Sequence, residues 1–272
     1  MRVYSWNVNG LRACGEKGFG AWLSRGRGQI VSVQEVRARP EQLPPELAAP
    51  VRWHARFAVA EKKGYSGVGT YSRRAPDAVE TSLGDAELDR EGRFIHLRFG
   101  ALHIVNAYFP NGNGTVLPGG RRSNDRVPYK LRFYRRVFDA LAPAFSAGAP
   151  ILIMGDFNTA HTAVDLARPK DNKDTSGFLP EERAELARWM DAGWVDAFRR
   201  FHPEAEGRYT WWAQRNGCRE RNIGWRIDYV LASPGAAPYL TAARIHTRVM
   251  GSDHCPVSVD VDQAILTGAP PP

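Results

Sequence analysis

Short β-like runs dominate this chain and limit its fold more than any other feature. They cover residues 2–8, 29–35, 66–72, 93–99, 101–108, 150–155, 225–231, 242–249 and 257–261. Each is rich in Val, Ile, Tyr or Phe and is bounded by Gly, Pro, Asn or Asp. Helical patterns are fewer, over about 18–26, 129–145 and 181–192. The last starts at Pro180 and continues "EERAEL", which puts acids in the first turn where the helix dipole favours them. Strands that outnumber helices without alternating with them argue against a doubly wound sheet or a barrel. They predict an α+β domain of packed sheets.

The 272 residues, 43% hydrophobic and 24% charged, suffice for one large core. A single domain over 1–262 is expected, followed by a flexible tail at 263–272 that ends "GAPPP". No run is apolar enough to span a membrane, and the opening "MRVYSWNVNG" is strand-like rather than a signal peptide. The three cysteines, Cys14, Cys218 and Cys255, are odd in number and lack C-x-x-C spacing. A cytoplasmic, monomeric protein without disulfides is therefore expected.

Several runs end on costly polar groups. "IVSVQEV" (30–36) is largely apolar until Gln34 and Glu35, and "ILIMGDFN" (151–158) turns at a glycine into Asp156 and Asn158. "GWRIDYVL" (224–231) carries Asp228 within an apolar strand, and "GSDHCPV" (251–257) sets Asp253 and His254 before the last one. A turn or a buried hydrogen-bonded acid would explain any one of these. Four in one chain point to a site, because a carboxylate at a buried strand end is expensive unless it is paired or holds a cation. The donors are mostly carboxylates and amides with one histidine, a hard oxygen set that selects Mg²⁺ or Mn²⁺ over zinc. Nucleophilic alternatives are weak. There is no G-x-S-x-G, the glycine-rich 111–120 stretch has no Walker pattern, and Cys255 and His254 are neighbours that a strand would point apart.

Charge supplies the second clue. The formal net charge is +8. Residues 121–136 hold seven Lys or Arg, including Arg121, Arg122 and Arg126, against one Asp. Residues 208–226 hold five Arg against one Glu, interleaved with Tyr209, Trp211, Trp212 and Trp225. A solvated helix face and a core tryptophan cluster would account for either stretch alone. Together they favour nucleic acid, since cations neutralise phosphates and aromatics stack on bases or sugars.

Taken in order, the motifs resemble the exonuclease III family of abasic-site endonucleases, within the DNase I-like metal phosphodiesterases. The matching stretches include "SWNVNGLRA" (5–13), "VQE" (33–35), "GYSGVGTYS" (64–72), "DREGRFI" (89–95), "NAYFPNG" (106–112), "GDFNTAH" (155–161), "SGFLPEER" (176–183), "YTWW" (209–212), "GWRIDYVL" and "GSDHCPV". The resemblance implies a four-layered α/β sandwich, two mainly antiparallel sheets flanked by helices. It implies that Asn7, Asn9 and Glu35 surround a divalent cation, with Asp253 helping. By the same resemblance Tyr108 contacts the scissile phosphate, Asp156 and Asn158 hold the attacking water, and Asp228 orients His254 toward the phosphate. Trp211, Trp225 and Ile227 match the wall of a pocket for an extruded abasic sugar. Some relatives carry Asp where this chain has Asn9, so one negative charge is missing here.

The expected activity is Mg²⁺-dependent hydrolysis of the phosphodiester 5′ to an abasic site in duplex DNA, with 3′-5′ exonuclease or 3′-phosphatase action at the same site as the rival. A phosphoinositide or sphingomyelin phosphodiesterase is argued against by the basic, tryptophan-rich 208–226 stretch. A DNA-binding protein with a dead site is argued against by the complete acidic set.

Overall fold

The computed structural model describes residues 1–120 and 123–271. In chain order the strands are β1 (Arg2–Asn7), β2 (Gly28–Gln34), β3 (His54–Ala58), β4 (Val68–Ser72), β5 (Ala78–Glu80), β6 (Phe94–Phe99) and β7 (Leu102–Tyr108). They continue with β8 (Ile151–Asp156), β9 (Val195–Asp196), β10 (Trp211–Trp212), β11 (Gly224–Trp225), β12 (Asp228–Ala232), β13 (Leu240–Ile245) and β14 (Val257–Val261). The helices are α1 (Leu11–Glu16), α2 (Phe19–Arg25), α3 (Pro45–Ala48), α4 (Ala86–Asp89), α5 (Val127–Ser146), α6 (Pro180–Asp191) and α7 (Ala197–Phe201).

Two six-stranded sheets form, in the orders β13-β14-β1-β2-β4-β3 and β5-β6-β7-β8-β12-β9. Each is antiparallel except for one parallel pair, β1 with β2 and β7 with β8. One apolar core lies between the sheets. A second, with Trp6, Phe19 and Tyr71, lies on the outer face of the first sheet, together with residues of α1, α2 and α3. A third, with Phe133, Tyr134 and Trp189 of α5 and α6, covers the second sheet. The four layers and two mainly antiparallel sheets that the resemblance implies are present.

Strand alternation then builds a polar end to the inner core. On β1, Val3 faces the opposite sheet, and the same face continues as Ser5 and Asn7. On β2 it runs Ile30, Ser32, Gln34; on β7, Leu102, Ile104, Asn106, Tyr108; on β8, Leu152, Met154, Asp156. β12 runs the other way and so starts with its acid: Asp228 pairs with Asp156 across the ladder. These polar groups are satisfied mainly by one another. Gln34 donates to Ser5 (3.0 Å) and to Asn106 (2.7 Å), which donates on to the Gly69 carbonyl (2.8 Å).

Two expectations are corrected. Residues 263–266 belong to the packed body: Gln263–Leu266 is a short 3₁₀ turn with Ile265 fully buried, and the Ala269 carbonyl accepts from the Tyr239 hydroxyl. Ile265 and Leu266 join the inter-sheet core, so the packed body extends past 262. The second concerns the basic run 121–136, much of which is internally paired. Lys130 is buried against Glu182, and Arg132 pairs with Asp85 and Glu87. Among the described residues, no helix is long and apolar enough to cross a membrane.

Candidate active site

Three of the polar strand ends break in the same way. Asn9, Glu35 and Asn158 have φ of 47°, 55° and 50°. Left-handed backbone costs energy for any residue with a Cβ, least for Asn, and persists where the surroundings over-determine it. All three line one cavity of about 240 Å³, with Arg37, Tyr108, Asn111, Asp156, Trp211, Trp225, Ile227, Asp253 and His254 among its other walls. Gly155 prepares the turn after β8: its φ is 150°, and a Cβ there would overlap the Ala107 carbonyl of the parallel neighbour β7.

Asn7 is the hub beneath the cavity. Fully buried, it donates through Nδ2 to Glu35 Oε1 (2.8 Å) and Asp156 Oδ2 (2.9 Å), bridging two carboxylates from different sheets. Its Oδ1 accepts the Asn9 N–H (3.0 Å). Asn9 passes the network on to Asp253 Oδ1 (2.8 Å), whose other oxygen accepts Trp211 Nε1–H (3.1 Å). Asp156 Oδ1 accepts the Asn158 N–H (2.8 Å), and Asn158 Nδ2 donates to the Phe109 carbonyl (2.9 Å). Asn158 Oδ1 is left facing Asn111 Nδ2 (3.2 Å).

His254 stands opposite. Its Nδ1 lies 2.9 Å from Asp228 Oδ2, and its Nε2 is 3.9 Å from Asp156 Oδ2. Burial alone would drive the imidazole pKa down, but the Asp228 carboxylate, then Asp156 and Asp253, raise it to about 10. The ring is therefore charged at neutral pH, with Nδ1–H on Asp228 and Nε2–H toward the cavity. Asp156 moves upward to about 7, chiefly by burial, helped by Asp228 and Glu35 and opposed by His254. Asp228 Oδ1 is buried with no hydrogen-bond partner. An orphaned acceptor costs about 1–3 kcal/mol, so this carboxylate is held for its charge on His254 rather than for stability.

Tyr108 keeps its proton, since burial and then the Glu35 charge push its pKa well above the ordinary value. The Arg93 guanidinium lies 4.4 Å from the Tyr108 ring centre. Trp211 and Trp225, paired on the β10–β11 ribbon, meet edge to face at 6.4 Å, with Ile227 behind them. Arg126 is placed away from this cavity, donating to the Tyr65 hydroxyl (3.0 Å) and Glu91 (3.0 Å). Arg121 and Arg122 lie outside the described residues.

Arg226 explains how the tryptophan wall is fixed. Though part of the basic 208–226 stretch, it is buried and donates to Asp165 (2.8 Å) and Asp196 (2.7 Å). Asp165 also accepts from Arg199 (2.7 Å), and its pKa sits at about 2: burial opposes, and the Arg226 and Arg199 charges prevail. A depressed carboxylate pKa contributes stability present above the ordinary value of 3.8 and lost as pH falls through 2. The shift corresponds to about 2 kcal/mol. Urea unfolding of Asp165→Asn is expected to show that deficit at pH 7, and a smaller loss than wild type on acidification from pH 4 to 2.

The residues fit a divalent cation. Glu35 and Asp156 bring carboxylate oxygens within 4.8 Å of each other in a pocket also lined by Asn9 and Asp253, while His254, protonated on both nitrogens, has no lone pair for the ion. Glu35 is already paired with a cation, the half-exposed guanidinium of Arg37. Sequence reasoning passed over Arg37, Asn111 and Lys130, whose Nζ donates to the Asn158 carbonyl (2.6 Å). A signal existed for Arg37, two residues beyond Glu35. None existed for Lys130, which looks like any surface lysine of a basic helix.

Residues 4–254 match the model of the endonuclease/exonuclease/phosphatase family. The chain is 36% identical to a DNA-(apurinic or apyrimidinic site) endonuclease of Dictyostelium discoideum over 96% of its own length and 71% of that protein's. It is 37% identical to an exodeoxyribonuclease of Bacillus subtilis over 96% of its length and all of that protein's. A 3′-5′ exonuclease from Neisseria meningitidis superposes with a TM-score of 0.85 at 26% identity, covering 96% of this chain and all of the other. The family model's match to residues 4–254, with relatives 36% and 37% identical over 96% of the chain, places the protein in the endonuclease/exonuclease/phosphatase family.

Proposed function

We propose that the protein is a DNA-repair hydrolase that cuts the phosphodiester 5′ to an abasic site in duplex DNA, leaving a 3′-hydroxyl and a 5′-deoxyribose phosphate. The observation that carries the reading is the approach of His254 Nε2 to within 3.9 Å of Asp156 Oδ2 at one cavity walled by Trp211 and Trp225. At about 240 Å³ the cavity is smaller than the roughly 300–1,000 Å³ typical of drug-sized ligand sites. That suits an extruded sugar and leaves little room for a base. Extrusion also costs least where no base must be unstacked.

Glu35, with Asn7, Asn9 and Asp253, would hold Mg²⁺ or Mn²⁺, which would supply charge neutralisation at the phosphate. The chain's own residues do the rest. Asp156 accepts a proton from water held between its carboxylate and the Asn158 amide. As the new P–O bond forms, the bond from phosphorus to the 3′ oxygen breaks and that oxygen takes a proton from solvent to become the 3′-hydroxyl. Meanwhile His254, charged through Asp228, donates a hydrogen bond from Nε2 to a phosphate oxygen as negative charge develops there. The Tyr108 hydroxyl, kept protonated, donates to the same phosphate.

The test is a labelled duplex with one abasic analogue, incubated with Mg²⁺ or with EDTA. Incision 5′ to the lesion that needs Mg²⁺ is expected. Shortening from the 3′ end without incision would transfer the site to the exonuclease reading, and equal cleavage in EDTA would remove the cation from it.

A further inference from the structure

We infer that Lys130 and Glu182 are positioning residues that hold Asn158, and so the water-binding wall of the cavity, in place; the inference rests on the function proposed above. Lys130 belongs to the basic run that the sequence offers to DNA, yet its side chain is wholly buried. Its ammonium donates to the Asn158 main-chain carbonyl (2.6 Å) and to Glu182 Oε1 (2.7 Å). Glu182 Oε1 also accepts the Ser176 hydroxyl (2.8 Å), whose oxygen accepts the Gly112 N–H (3.0 Å). Glu182 Oε2 accepts the N–H groups of Gly177 (2.5 Å) and Leu179 (3.1 Å). One buried ion pair thereby ties together segments 111–113, 156–158 and 175–177, all of which reach the cavity wall.

Stability alone does not explain the pair. Buried ion pairs contribute little net stability, because desolvation offsets their attraction. The α5–α6 layer already has Phe133, Tyr134, Leu186 and Trp189 as a core. What the pair supplies is a direction. Asn158 is left-handed, with φ of 50°, and the ammonium fixes its carbonyl inward while its amide faces Asp156 and the cavity. Without that hold, the backbone can relax toward ordinary φ and swing the amide away from the water.

The experiment is a kinetic cycle on the abasic duplex with Mg²⁺, using Lys130→Met in the wild-type and Asn158→Ala backgrounds. In the first, kcat is expected to fall at least tenfold with KM changed less than twofold. In the second, the same substitution should cost less than twofold, because its target side chain is already gone. A kcat within twofold of wild type, or equal losses in both backgrounds, overturns the inference. If Lys130→Met does not fold, Lys130→Met/Glu182→Gln, which removes both charges, takes its place with the same expectations. The carbonyl ¹³C resonance of Asn158 gives a reading independent of turnover: it should move when Lys130 is replaced, and an unchanged resonance overturns the inference. A wild type that fails to incise the duplex counts against the proposed function instead. The carbonyl resonance then decides the role of Lys130 alone.

Discussion

Asp156→Asn is expected to lower kcat for incision by about 10³-fold while DNA affinity stays within about threefold of wild type or tightens. The reason lies in what the substitution keeps. The Asn7 Nδ2–H and the Asn158 N–H both donate to the Asp156 carboxylate, and an amide oxygen would still accept one of them. The side chain is buried and its pKa is raised to about 7, so the site already tolerates a neutral group there. What disappears is the capacity to take a proton from water. Loss of one negative charge beside the phosphate would, if anything, favour DNA. Single-turnover incision and fluorescence anisotropy on the same duplex read the two quantities separately. A variant that turns over within tenfold of wild type would show that the proton goes elsewhere.

His254→Gln is expected to produce a comparable loss, about 10³-fold in kcat. Asp228→Asn should reproduce part of it, with a signature of its own. In the native protein Asp228, reinforced by Asp156 and Asp253, outweighs the burial that would otherwise discharge the imidazole. A raised pKa means that the charged form persists until pH climbs through that value. Neutralising Asp228 removes the principal support, so the alkaline limb of the pH–rate profile should move to lower pH and a deficit at neutral pH should shrink on acidification. A pH-independent loss in Asp228→Asn would mean that the carboxylate only packs. The fold should survive, because Asp228 heads β12 and its N–H still pairs with the Thr210 hydroxyl (3.1 Å).

Much of the architecture was legible because it depends on local pattern. The runs at 2–8, 29–35, 101–108, 150–155 and 257–261 became strands within a residue or two at each end, and the helical run at 129–145 became α5. Among the strands outside the predicted runs, His54–Ala58 and Ala78–Glu80 each lie at an edge of their sheet. Ala78–Glu80 is exposed throughout and only Ala58 of the other is buried, so neither carries the apolar signature of a central strand. Glu35, Asp156 and His254 stood out for the opposite reason: each is a costly polar group next to a buried apolar stretch. The packing of "QAIL" (263–266) is not legible in so short a run, and only its contact with the inter-sheet core shows it.

Taken alone, then, the sequence determined the strand-rich, two-sheet fold and the identity of the acids and the histidine, since alternation and the cost of burying charge are properties of a few neighbouring residues. Tertiary structure decided how those groups meet. Asn7 bridges Glu35 and Asp156 only because the two sheets face each other with their polar ends together. It also decided that Lys130 and Arg226 serve the interior rather than DNA, each held by an acid more than 20 residues away. Charge pairing across such separations follows from packing, which no local pattern records.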